Sequence, residues 1–185
     1  MNTEQLFMEI DRHFLGKLEY PKRFTAATSQ VDGWFKGELI YLFTSLQQRK
    51  GLEEWAPEVL VPGQDEDKKK RVDFRVKLDN GFAWLEIKCL YWGPTRAQQP
   101  TDLSFYFSND PQEVRGDVLK LASIKEGIGY CIIFIYPGPE RDQWQEILTK
   151  FKEKAGDCTF KEKSSISQFP KTLCIAKLEI AQGTS

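Results

Sequence analysis

On either side of Asn80-Gly81, between Arg71 and Cys89, the chain alternates between two sets of positions, one of them wholly apolar. Val72, Phe74, Val76 and Leu78 interleave with Arg71, Asp73, Arg75 and Lys77, and Ala83, Leu85, Ile87 and Cys89 interleave with Trp84, Glu86 and Lys88. A period of two predicts a pair of half-buried strands. Asn80-Gly81 between them is a strong hairpin signal, because a type I′ turn needs positive φ at both central residues. A two-residue loop there sets Asp73 opposite Lys88, Arg75 opposite Glu86 and Lys77 opposite Trp84, all on one face. A loop at Asp79-Asn80 would instead oppose Asp73 to Glu86 and keep the same face, whereas a shift of a single residue would bury the charges. Facing Cβ atoms lie roughly 4.5–5.5 Å apart, so both carboxylates can reach one cation.

The flanking pattern is helical. Leu6, Phe7, Ile10 and Phe14 predict a helix from Thr3 to Leu18 behind an Asn2/Thr3 cap, with His13 beside the stripe as a structural or surface residue. Tyr20 to Gln30 reads as a connection. Asp32 then caps a second helix reaching about Lys50 and stopped by Gly51, with Phe35, Leu39, Leu42 and Leu46 inward and Glu38 at the border of the apolar face. Glu58 to Pro62 predicts a short strand, and the charge run from Asp65 to Arg71 a solvated loop. Tyr91 to Ser108 is irregular and aromatic, closing in a strand at Leu103 to Phe107. Asp110-Pro111 with Glu113 opens a third helix packed through Val114, Val118, Leu121 and Ala122, leaving Arg115, Asp117 and Lys120 to solvent, with phosphate contact as the alternative. Tyr130 to Tyr136 is a strand covered on both faces, followed by a helix from about Glu140 to Lys154 and strands near Thr159 and from Leu173 to Ile180. No repeat is visible, and Gly127-Ile128-Gly129 precedes a strand, the wrong context for a nucleotide loop.

Composition narrows the chemistry. A length of 185 residues suits one domain, 1–185, and a net charge of −1 gives no global attraction to nucleic acid, so such binding would rest on local basic groups or bridging metal ions. The four cysteines, Cys89, Cys131, Cys158 and Cys174, show no CxxC spacing and read as reduced, mostly buried thiols of a cytoplasmic protein. No apolar run reaches membrane-spanning length, and the N-terminal pattern carries acids where a signal peptide would not. His13 is the single histidine, which removes Ser-His-Asp triads, Cys-His dyads and His-rich zinc sites. Catalysis, if present, falls to carboxylates and lysines.

A helix bearing Glu38, a strand, a strand bearing Asp73, a hairpin into Glu86-Ile87-Lys88, a helix and a buried strand together resemble the PD-(D/E)xK nuclease superfamily. The likeness covers 32–136, with Val72 standing where the family motif has proline. It implies an α/β, restriction-endonuclease-like αβββαβ core, a central mixed sheet flanked by helices, with residues 140–180 added. It further implies that Asp73 and Glu86 bind Mg²⁺ or Mn²⁺, that the Ile87 carbonyl adds a ligand, that Glu38 contributes through water or a second ion, and that Lys88 positions the nucleophile or neutralises developing charge. The reaction implied is phosphodiester hydrolysis.

The plainer reading of the hairpin is an exposed face of cross-strand ion pairs, Asp73 with Lys88 and Arg75 with Glu86, each worth about 0.2–1 kcal/mol. Three functions follow. The first is a DNA endonuclease of restriction or repair type with Lys22, Arg23, Arg96 and Lys68 to Lys70 on phosphates. The second is a catalytically inactive binding or assembly module of the same fold, and the third a related nuclease acting on RNA. Homodimerisation and a protein partner are left open.

Overall fold

The computed structural model describes residues 1–29, 31–62, 70–93, 114–140, 142–146, 149, 165–169 and 171–180. The expected strand at Leu103 to Phe107, the cap at Asp110 to Glu113, the strand near Thr159, Cys158, Arg96, Lys68 and Lys69 lie outside them. The helices α1 (Thr3–Leu15), α2 (Glu19–Ala26) and α3 (Asp32–Gln48) precede three strands, β1 (Trp55–Leu60), β2 (Arg71–Leu78) and β3 (Gly81–Tyr91). Helix α4 (Val114–Ala122) and strands β4 (Ile128–Tyr136), β5 (Ser165–Phe169) and β6 (Leu173–Ile180) follow. One six-stranded mixed sheet results, in the order β1-β2-β3-β4-β6-β5. Only β3 and β4 are parallel, joined across α4; every other neighbouring pair is antiparallel.

Helices cover both faces of the sheet. On one, Leu6, Ile10 and Phe14 of α1 and Phe35, Leu39, Leu42, Phe43 and Leu46 of α3 pack on Phe74, Leu85, Ile132 and Phe134. Phe134 stacks on Phe35 at 4.6 Å and meets Phe14 at 4.7 Å, contacts each worth about 0.5–1.5 kcal/mol beyond burial. On the other face, Val114, Val118 and Leu121 of α4, together with Trp144, pack on Trp84, Cys131, Ile133 and Ile135. The residues of β4 alternate between the two clusters, which is why its sequence is apolar throughout. Among the described residues, no helix is long and apolar enough to cross a membrane.

Several local expectations are corrected. The segment expected to be a connection after Tyr20 is helical, because Pro21 falls in the first turn of α2, where its missing N–H costs no bond. Asp32 lies inside the first turn of α3 instead of capping it; Val31 holds the cap position without a side-chain bond. Helix α3 ends before Lys50, which takes φ +58 itself. Strand β1 begins earlier than expected, at Trp55, and β5 was not anticipated at Ser165–Phe169. The Asn2 cap is present as a full capping box with Gln5. Cys89, Cys131 and Cys174 are buried thiols, as expected.

The hairpin takes the second of the two registers. Arg75 faces Trp84, Lys77 faces Phe82 and Leu78 faces Gly81, so the loop is Asp79-Asn80. A type I′ turn would demand positive φ at Asn80 as well as Gly81; here only Gly81 adopts it, at +118°. The cross-strand pairs Asp73–Lys88 and Arg75–Glu86 therefore do not form. Gly127, at the entry to β4, also has positive φ, +91°, and a Cβ there would stand 2.2 Å from the Phe82 carbonyl oxygen. Gly127→Ala is expected to cost about 1–3 kcal/mol, read as a lowered midpoint in urea unfolding with an unchanged slope.

Candidate functional site

Asp73 marks a break in the sheet. The β2–β3 ladder runs from Leu78–Gly81 to Phe74–Leu85, and continuing it brings Asp73 against Glu86. There the side chains take over from the backbone: Ile87 N–H donates to Asp73 Oδ2 at 2.8 Å, and Asp73 N–H donates to Glu86 Oε2 at 3.3 Å. On the other side, Glu58 of β1 falls between the Pro57–Phe74 and Val59–Val72 pairs with φ +50. Val72 has moved to the α4 side of the sheet although Phe74, two residues on, belongs to the α3 side. A non-glycine residue held at positive φ is strained by about 1–3 kcal/mol, and such strain is concentrated at sites that position chemistry.

Both acids are buried, Asp73 with 7 % and Glu86 with 6 % of its surface exposed, so the charged face is not the solvated one expected. Each acid receives a lysine from a different helix. Lys36 Nζ of α3 lies 2.5 Å from Asp73 Oδ1, and Lys120 Nζ of α4 lies 2.5 Å from Glu86 Oε1. Lys120 also reaches Asp117 Oδ1 at 3.1 Å, and Asp117 Oδ2 lies 3.0 Å from Lys88 Nζ. The result is a continuous chain of contacts from Lys36 through Asp73, Glu86, Lys120 and Asp117 to Lys88, with the two acids Asp73 and Glu86 adjacent within it.

The electrostatics are unbalanced at its centre. Burial, with the neighbouring charges of Asp117 and Asp73, raises the Glu86 carboxyl to about 8 despite the opposing pull of Lys120. Burial also works against the ammonium charge of Lys36 and Lys120, but the carboxylates around each outweigh it and both pKa values are raised. The adjoining thiols Cys89 and Cys131 are pushed well up by burial and so are poor nucleophiles.

Glu38 does not join this group. It lies about 200° around α3 from Lys36, and its Oε2 instead meets His13 Nε2 at 2.9 Å and Lys17 Nζ at 3.1 Å. Of the expected set, then, Asp73, Glu86 and Lys88 converge, with Ile87 supplying its N–H to Asp73. Lys36, Asp117 and Lys120 were missed. A signal for Asp117 was available: Val114, Asp117, Val118 and Leu121 follow the i, i+3, i+4, i+7 spacing, so Asp117 belongs to the inward stripe and not to solvent. Lys36 carried no such mark, since its partner lies on a distant strand. Of the basic residues expected on phosphates, Lys22, Arg23 and Lys70 are exposed, and Arg23 pairs with Glu19 at 3.2 Å.

The donor set can be weighed against a metal ion. Among the described residues, no three His, Cys, Asp or Glu side chains are gathered as a metal-holding group. Two adjacent carboxylates suffice for Mg²⁺ or Mn²⁺ when water and a phosphate oxygen complete the shell. Hard oxygens on two adjacent acids fit such a cation, which would take the places of the Lys36 and Lys120 ammonium groups. No family model matches the chain, and no curated protein or solved structure matches it.

Proposed function

We propose that the protein is a divalent-metal-dependent nuclease that hydrolyses DNA phosphodiester bonds, of the PD-(D/E)xK kind. The observation that carries the proposal is the pair of buried carboxylates, Asp73 and Glu86, brought together where β2 and β3 part, with Lys88 two residues beyond on the same strand. The order α3-β1-β2-β3-α4-β4, three antiparallel strands and a parallel fourth reached through a helix, agrees with a restriction-endonuclease-like core.

Asp73 and Glu86, with the Ile87 carbonyl, would hold Mg²⁺ or Mn²⁺, which when bound lowers the pKa of water and draws negative charge from phosphate. The remaining work belongs to the chain itself. Lys88, steadied by Asp117 and a quarter exposed, offers a cation to a phosphate oxygen as charge builds on it. Lys36 and Lys120 hold the acids apart from bulk water until substrate and metal enter. Glu38 has no part in this scheme.

Plasmid nicking in Mn²⁺ tests it. Lys88→Ala is expected to lower the nicking rate about 100-fold, with thermal stability close to the parent because Asp117 keeps Lys120. The second reading, a catalytically inactive assembly module, draws on the same two lysines: each acid already has a cation at 2.5 Å. That reading predicts no Mn²⁺-dependent nicking by the parent protein at all, on DNA or on RNA.

A further inference from the structure

We infer that the cleft between α1 and α3 is a binding site for a phosphate monoester. It encloses about 250 Å³ and is lined by Glu9, Arg12, His13, Tyr41, Ser45 and Arg49 among others. Ligand pockets usually span roughly 300–1,000 Å³, so this one takes a small molecule or the end of a larger one.

Two guanidinium groups converge in it on one carboxylate. Arg12 Nη1 pairs with Glu9 Oε1, and Arg49 Nη2 approaches Glu9 Oε2 at 4.0 Å. Each arginine thus addresses a different oxygen of the same group, the arrangement in which guanidinium forks hold an external oxyanion. Both arginine side chains are largely exposed, at 64 % and 63 %, and can swing to a ligand. Glu9 marks where the ligand's oxygens would lie and competes with them.

His13 is the oriented member. Its Nε2 is held by Glu38 at 2.9 Å, its ring lies 5.9 Å from that of Tyr41, and only 11 % of its side chain is exposed. Tyr41 and Ser45, which also line the cleft, carry hydroxyl groups. Two guanidiniums and two hydroxyls offer donors enough for the three oxygens of a tetrahedral dianion, more than a flat carboxylate needs. The plainer account, an ion-pair clip between two helices, gives Glu9 no role as a competitor. The proposal is independent of any chemistry at Asp73 and Glu86.

The single histidine makes the test direct, because one imidazole Cε1–H signal reports the cleft. In phosphate-free buffer, the tag-free chain would be titrated with inorganic phosphate, ribose 5-phosphate, a 5′-phosphorylated oligonucleotide, acetate, and sodium chloride at matched ionic strength. A saturable shift with the phosphates and not with chloride or acetate is expected. Arg12→Ala/Arg49→Ala should weaken it at least tenfold without lowering the thermal midpoint, and Glu9→Gln should tighten it at least threefold. Saturation by ribose 5-phosphate would assign a small phosphorylated molecule, and saturation by the oligonucleotide alone a nucleic-acid end. A shift that chloride reproduces, that survives the double substitution, or that Glu9→Gln leaves unchanged overturns the proposal.

Discussion

Glu86→Gln is expected to abolish Mn²⁺-dependent nicking, by at least about 1,000-fold, while making the protein no less stable at pH 7 and more stable above pH 8. The activity arm follows because an amide is a far poorer partner for a hard cation than a carboxylate, and a lost metal-centred contribution is worth several kcal/mol. The stability arm follows from the raised carboxyl. Its ordinary value is 4.5 and its folded value about 8. Below pH 4.5 both folded and unfolded chains carry the proton. Between 4.5 and about 8 the unfolded chain has lost it and the folded chain keeps it, so stability falls as pH rises, by up to about 1.4 kcal/mol per pH unit. Glutamine imitates the protonated form and removes that slope. Thermal midpoints of parent and variant measured from pH 5 to pH 9 should diverge up to about pH 8 and then run parallel, with the variant higher at the alkaline end. Curves parallel throughout would show that Glu86 is ionised at little cost. Loss of stability at every pH would mean that the Lys120–Glu86 pair is chiefly a structural tie.

Asp73 should behave in the opposite way, and the choice of substitution separates its two jobs. Asp73→Ala leaves the buried Ile87 N–H without its acceptor and Lys36, 37 % of whose side chain is exposed, without its carboxylate. An orphaned buried N–H costs about 1–3 kcal/mol, while the half-exposed Lys36 ammonium turns to water and adds little. The variant should unfold at lower urea concentration, and its inactivity would then say nothing about catalysis. Asp73→Asn keeps an oxygen for Ile87 and the shape of the site, so it should retain most of the stability and still lose nicking. Urea unfolding and nicking measured on both variants decide the matter: an active Asp73→Asn would remove Asp73 from the reaction.

Another buried pair shows how far such contacts extend beyond the candidate site. Lys177 of β6 is almost wholly buried, with its Nζ 2.5 Å from Asp11 Oδ1 of α1, and burial lowers its pKa although Asp11 opposes the shift. In the sequence it is one lysine in a strand whose other charged residue is Glu179, and nothing local says whether that position faces water. The same gap explains the errors at the site. Glu38 shares its helix with the stripe that packs on the sheet, yet two residues of helix turn it toward α1 while Lys36 faces Asp73. A motif read along the chain cannot resolve an angle of that kind.

Local periodicity by itself determined the α1 stripe, the α3 stripe, both arms of the hairpin, the apolar β4 and the whole of β6, because side-chain period and burial are properties of neighbouring residues. It also determined that Glu86 and Lys88 share a strand face; Asp73 meets them only through the break in β2, where Val72 lies on the α4 side and Phe74 on the α3 side. Tertiary structure alone decided which loop closes the hairpin, which lysine neutralises which acid, and that His13 and Glu38 belong together. Those choices depend on where helices α1, α3 and α4 settle on the sheet. That placement is fixed by packing among residues far apart in the chain, and no local pattern encodes it.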